Sequence, residues 1–155
     1  MEFDTLEAII DFAIEKEMEA AEFYSTLSEE EDFAGSSKMF KEFSDEEHKH
    51  EKMLKDFKNH GITKSTEEYN FQWMSDLKRS DYLIDIDFQK GMTYDKILRL
   101  AMKREEKSLK LYNDFQNHVD TDVARKIFKV LCQEEAKHKL ALETMYDDYM
   151  AKMGD

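Results

Sequence analysis

Two short motifs in the chain place a carboxylate and an imidazole three residues apart. They are Glu47-x-x-His50 and Glu135-x-x-His138. On an α-helix, residues at this spacing lie about 60° apart around the axis and roughly 4.5 Å apart along it, so both side chains of a motif can reach one metal ion. Carboxylates with imidazole suit iron or manganese, and the absence of thiolates disfavours a structural zinc site.

An internal repeat relates the two motifs. A shift of 88 positions aligns the two halves without a gap, and it pairs Glu17 with Glu105 and Tyr24 with Tyr112. A single Glu-x-x-His arises easily by chance, whereas this common register does not. The halves together offer four carboxylates and two imidazoles, enough to balance two divalent ions: Glu17, Glu47, His50, Glu105, Glu135 and His138.

Both motifs share a helical face with apolar residues. Glu47 follows Phe43 by four positions, and His50 precedes Leu54 by four. The second motif has the same spacings from Leu131 and Leu142. Ordinary surface ion pairs are the alternative interpretation, but charges in an apolar stripe are costly to bury unless something satisfies them. Metal ligation does so and is therefore favoured.

Long helices must carry these residues. The chain has no proline and four glycines, which indicates few turns. Apolar residues recur at helical spacing in four runs. We predict an all-α fold, an antiparallel four-helix bundle with a long crossover between helices 2 and 3, and its proposed ligand set resembles that of ferritin-like bundles. The predicted organisation is one domain, 1–155, with a helix pair in 4–60, the crossover in 62–90 and a helix pair in 93–151.

Polar residues before the apolar runs suggest where the helices begin. The predicted caps are Asp4 with Glu7 for the first helix, Ser36 or Ser37 for the second, and Asp120 or Thr121 for the fourth. The third helix is expected after Thr93.

Composition bounds the class of protein. Of 155 residues, 41% are apolar and 38% charged, with a net charge of −13. This argues against disorder, a membrane span and nucleic-acid binding. The one cysteine, Cys132, forms no internal disulfide, and the acidic start at Met1 is unlike a signal peptide. We therefore expect a cytoplasmic protein.

The stretches Ala13–Tyr24 and Asp45–His50, repeated as Ala101–Tyr112 and Gln133–His138, resemble the rubrerythrin branch of the ferritin-like di-iron proteins. The resemblance implies two iron ions, with manganese or mixed metals as alternatives. The six repeated Glu and His residues take the ligand positions, and Glu47 and Glu135 bridge. It also implies reduction of hydrogen peroxide or dioxygen, or oxidation of Fe(II), and a homodimer. With one cysteine the chain has no Cys-x-x-Cys module, so a separate electron donor such as a rubredoxin is expected.

Two departures keep alternatives open. Rubrerythrins have an extra glutamate one turn after the third-helix ligand, where this chain reads Lys107-Ser108-Leu109. The remaining six ligands are also those of bacterioferritin, which implies a ferroxidase or iron-storage protein. However, His48 stands where bacterioferritin has its haem-binding Met. A metal-free helical interaction protein is the third alternative.

Tyr24 and Tyr112 are the candidate catalytic residues. Each follows its single Glu by seven positions, two turns along nearly the same face. The resemblance suggests that they hydrogen-bond the carboxylates or supply an electron, and a core role is the alternative. Cys132 is expected to be a small core residue. The other histidines, His48, His60 and His118, are expected at the surface.

Overall fold

The computed structural model describes residues 5–29, 34–61 and 92–153, and all regular structure within these ranges is helical. The helices are α1 (Leu6–Ser28), α2 (Ala34–His60), α3 (Tyr94–His118) and α4 (Asp122–Met153). None of these helices is long and apolar enough to cross a membrane. The predicted crossover at 62–90 lies outside the described residues.

The chain divides into two compact units. The first contains α1, α2 and residues Val119–Ile127, and the second contains α3 and α4 from Phe128 onward. The organisation of 1–155 as one domain stays a prediction.

The starts of α1 and α4 follow local capping chemistry. The Thr5 hydroxyl accepts a hydrogen bond of 3.0 Å from the amide of Ala8, so Thr5 caps α1 and the predicted Asp4 cap is wrong by one residue. At α4, the Thr121 hydroxyl accepts from the amide of Ala124 at 3.2 Å, so Thr121 is the correct one of the two predicted caps.

The start of α2 differs from the prediction. The helix begins at Ala34, so Ser36 and Ser37 lie inside it rather than at its N-cap. The Ser37 hydroxyl instead donates to the carbonyl oxygen of Ser28, the last residue of α1. Sequence alone could not show this tertiary contact. At the other end, Gly61 has φ +84°, and its amide donates to the carbonyl of Phe57 at 3.0 Å.

The first unit is an antiparallel pair. Ser37 contacts Ser28 at one end, and at the other the Lys58 Nζ lies 2.6 Å from Asp11 Oδ1. The facing sides of α1 and α2 bury one apolar stripe, whose members are Ile9, Ile10, Ala13, Ala21, Tyr24, Leu27, Phe40, Phe43 and Leu54. Burial of this stripe provides the hydrophobic stabilisation of the pair.

The second unit repeats this arrangement. The rings of Tyr94 and Tyr149 meet at one end of the pair with centroids 5.0 Å apart, and those of Phe115 and Phe128 at the other with centroids 5.3 Å apart. The helices α3 and α4 are therefore antiparallel. Their buried apolar residues include Ile97, Leu98, Ala101, Met102, Tyr112, Leu131 and Leu142. Acidic and imidazole side chains are embedded in this apolar surface, as they are in the first unit.

Candidate metal centre

The first helix pair brings two carboxylates and one imidazole together. Glu17 comes from α1, and Glu47 and His50 come from successive turns of α2. The Nδ1 atom of His50 lies 3.5 Å from Glu17 Oε2 and 3.6 Å from Glu47 Oε2. Each residue offers one ligand atom, and these atoms lie within 4.8 Å of one another. We call this set the first triad.

The second helix pair builds the same arrangement, the second triad. Glu105 comes from α3, and Glu135 and His138 come from α4. The Nδ1 atom of His138 lies 3.5 Å from Glu105 Oε1. One ligand atom from each residue again lies within 4.8 Å of the others. The 88-residue repeat of the sequence is therefore also a repeat of side-chain geometry.

The donor set of each triad fits a divalent cation. All six residues are buried, with at most 6% of the surface of each exposed. Two carboxylates carry two negative charges into an apolar core, which is unfavourable unless a positive charge accompanies them. Carboxylate and imidazole donors suit iron and manganese, and one ion placed among three such atoms can contact all of them. The residues therefore fit the metal that the resemblance implies, and their role as ligands stays a prediction.

The first triad perturbs the ionisation of Glu17. Burial raises the pKa of this carboxyl well above its usual value, and the nearby negative charge of Glu47 raises it further. His50 acts in the opposite direction, because its imidazole favours the ionised carboxylate. A bound divalent cation would likewise favour the ionised form, so proton release is expected to accompany metal binding.

The two tyrosines occupy equivalent aromatic clusters. Tyr24 is buried and stacks on Phe40 with ring centroids 6.1 Å apart, and Tyr112 is buried and stacks on Phe128 at 6.0 Å. Phe43 adds an edge-to-face contact to Tyr24 at 5.3 Å. This packing agrees with a core role, and the proposed contact of each hydroxyl with a carboxylate stays a prediction.

One hydrogen bond connects the helices of each pair just before its motif, and the sequence analysis missed both bonds. The Ser44 hydroxyl, three residues before Glu47, donates to the carbonyl of Ala21 at 2.8 Å. At the repeat-related position the Cys132 thiol donates to the carbonyl of Leu109 at 3.8 Å. The signal in the sequence was the 88-residue shift, which pairs Ser44 with Cys132.

Cys132 is half-buried and has a second neighbour. The Gln116 side-chain amide donates to its sulfur at 3.2 Å. Burial raises the pKa of the thiol to about 11, and the Gln116 hydrogen bond only partly opposes this shift. The thiol therefore stays protonated at neutral pH and is a poor nucleophile.

The sequence analysis also did not predict a buried ion pair in α4. Lys139 Nζ lies 3.7 Å from Glu143 Oε1, and both side chains are almost fully buried. Lys139 directly follows His138 in the sequence. The three remaining histidines, His48, His60 and His118, are exposed, as the sequence predicted.

Comparisons with known proteins agree with the helical fold. The family model described as Rubrerythrin matches residues 8–146. The chain is also similar to a solved structure of a hypothetical protein from Pyrococcus furiosus, with TM-score 0.66 and 22% identity over 93% of this chain and 89% of that one. No curated protein matches the chain significantly. The predicted fold class, an all-α ferritin-like four-helix bundle, is confirmed by these similarities.

Proposed function

Because the chain belongs to the rubrerythrin family, we propose that it is an oxidoreductase that holds two iron ions and reduces hydrogen peroxide. The observation that supports this function is the repeated triad. Each helix pair buries the same three donors, and in each the imidazole lies 3.5 Å from the carboxylate of the partner helix. Dioxygen is the alternative oxidant, and manganese or a mixed pair is the alternative metal content.

Bound iron would supply the redox chemistry, and the chain supplies binding, orientation and protons. Each triad holds its donors on two packed helices, so little reorganisation is needed for ligation. Reduction of one peroxide to two water molecules consumes two electrons and two protons. We propose that the hydroxyls of Tyr24 and Tyr112 deliver protons within each unit, since a buried hydroxyl can donate where bulk water is excluded. Bridging by Glu47 and Glu135 stays a prediction of the resemblance.

The electrons require a partner. Because Cys132 is the one cysteine, the chain has no Cys-x-x-Cys module of its own. The proposal therefore includes a separate electron-donor protein, such as a rubredoxin. A cytoplasmic location and a homodimer are further parts of the proposal, and they rest on the lone cysteine and on the resemblance.

Elemental analysis and peroxide consumption test the proposal. Protein loaded anaerobically with Fe(II) and then desalted should retain about two irons per chain. The loaded protein should then consume peroxide when a chemical reductant resupplies electrons. Retention of no iron would refute the metal site. Retention of iron without peroxide or dioxygen turnover would refute the oxidoreductase function alone.

A ferroxidase of the bacterioferritin type uses the same six donors and is the second candidate. Its substrate would be Fe(II), oxidised and then passed to a mineral core. Storage requires a large hollow shell, so size-exclusion chromatography discriminates between the two functions. A small oligomer favours the peroxidase, and a shell that accumulates many irons per chain favours storage. A metal-free interaction protein would show no rise in thermal stability with Fe(II) or Mn(II).

A further inference from the structure

The two triads have the same donors and the same distance between imidazole and partner carboxylate. A difference in their affinity for metal must therefore come from the residues around them. Two such differences occur at repeat-related positions, one in a hydrogen bond between helices and one in the direction of an ion pair.

The first difference is the side chain that connects the two helices of each pair. In the first unit the donor is the Ser44 hydroxyl, at 2.8 Å from the carbonyl of Ala21. In the second unit it is the Cys132 thiol, at 3.8 Å from the carbonyl of Leu109. A thiol is a weak hydrogen-bond donor, and the hydrogen bond from Cys132 to Leu109 is long. Each donor lies one turn before the glutamate of its motif, so the stronger hydrogen bond restrains the first triad more than the weaker one restrains the second.

The second difference is an ion pair that directly follows each histidine. In α2, Glu51 follows His50 and binds Lys55, with oxygen and nitrogen 2.6 Å apart. In α4, Lys139 follows His138 and pairs with Glu143 four residues later. The order of charges is therefore reversed between the two helices.

This reversal affects a cation in each triad. The first residue of each pair rises only about 1.5 Å along the axis from its histidine, and the second about 7.5 Å. The negative end of the pair is thus nearer to the first triad, and the positive end is nearer to the second. The pair in α4 is also buried, where charges are screened less than at the surface.

We propose that the two triads are inequivalent, and that the first triad binds its metal ion before the second and more tightly. This inference rests on the proposed function, because it concerns the same metal ions. The positioning residues that set the order of loading are Ser44, Cys132 and the Lys139–Glu143 pair.

Calorimetric titration of the metal-free protein with Mn(II) under anaerobic conditions tests the order. The wild type should bind in two steps whose affinities differ on the order of tenfold, as expected for a nearby charge of reversed sign. His138→Ala should keep the tighter step and lose the weaker one. His50→Ala should lose the tighter step. Equal affinities in the wild type, or a tight step that survives in His50→Ala, would overturn the inference.

Two further variants test the cause. Cys132→Ser places a hydroxyl where the first unit has Ser44, and it should tighten the weaker step by roughly threefold to tenfold. Lys139→Glu combined with Glu143→Lys should tighten the same step by restoring the charge order of α2. The exposed His60→Ala variant, at the end of α2, serves as a control and should leave both steps unchanged. Circular dichroism of each metal-free variant verifies that it folds.

The outcomes separate the two proposals. Absence of any Mn(II) or Fe(II) binding to the wild type would refute the proposed function together with this inference. Two bound ions with affinities that neither Cys132→Ser nor the Lys139/Glu143 exchange alters would refute the assigned cause. The metal site itself would stand in that case.

Discussion

The Nδ1 atom of His138 lies 3.5 Å from the Oε1 atom of Glu105, on the neighbouring helix of its pair. The same distance separates His50 from Glu17 in the other helix pair. The two halves of the chain differ at most repeat-related positions, yet each half folds to the same arrangement of donors. Each triad can therefore be altered separately while the other serves as an internal reference.

Replacement of His50 by alanine should remove one metal ion. The first triad then has two carboxylates and no imidazole, which lowers its affinity enough for loss on desalting. Iron content measured by elemental analysis should fall from about two per chain to about one. His48→Ala, on the exposed face of the same helix, should retain the full content. Full loading of the His50 variant would contradict the ligand assignment.

The stability of the metal-free protein should depend on pH through Glu17. Its folded-state pKa is raised above the ordinary value of 4.5, because burial and Glu47 disfavour the charged form. The contribution of Glu17 to the free energy of unfolding is therefore fully present below pH 4.5, and it is lost as the pH rises through the folded-state pKa. Glu17→Gln cannot ionise, so urea unfolding should show its stability relative to wild type increasing with pH. If the free energies of unfolding of wild type and Glu17→Gln changed in parallel with pH, the assigned role of Glu17 would be wrong.

Mn(II) should raise the unfolding temperature of the native protein. A ligand that binds only the folded state at one hundred times its dissociation constant adds about 2.7 kcal/mol per site. Glu17→Ala combined with Glu105→Ala removes one carboxylate from each triad and should abolish most of this gain. Glu22→Ala, exposed on α1, is the matched control and should behave like wild type. Differential scanning calorimetry with and without Mn(II) gives the comparison.

Tyr24→Phe and Tyr112→Phe separate a chemical role from a core role. Phenylalanine keeps the ring that stacks on Phe40 or Phe128, so folding and iron content should be preserved. Loss of the hydroxyl should lower peroxide turnover by about tenfold or more if it delivers a proton, as we propose. Unchanged turnover in both variants and in the double variant would assign both tyrosines to the core alone.

The end of α2 should depend on the backbone freedom of Gly61. Its φ of +84° is unfavourable for residues with a Cβ, although a Cβ there would meet no atom within 4 Å. Gly61→Ala should therefore destabilise the protein by about 1 kcal/mol through backbone strain alone. Gly61→Asn should cost less, because asparagine tolerates this conformation better. Equal stability of wild type and Gly61→Ala in urea unfolding would contradict this explanation.

Much of the fold and the candidate site could be predicted from local patterns. The helical class follows from the absence of proline and from apolar spacing, both of which are properties of short segments. The register that pairs Glu17 with Glu105 follows from a repeat in the sequence itself. The prediction that Asp4 caps α1 was wrong because the neighbouring Thr5 can also cap a helix. The Thr5 hydroxyl accepts the hydrogen bond from the Ala8 amide, so Thr5 is the cap.

The sequence by itself determined the helices, the repeat and the types of donor, because these depend on residue order and periodicity. The tertiary structure decided which atoms meet. It brought Glu17 within 3.5 Å of His50 and directed the Ser37 hydroxyl to the end of α1. It also buried Lys139 with Glu143, while Lys55 of the repeat-related pair with Glu51 stays half-exposed. These features depend on which segments pack against each other, and helical periodicity does not contain that information.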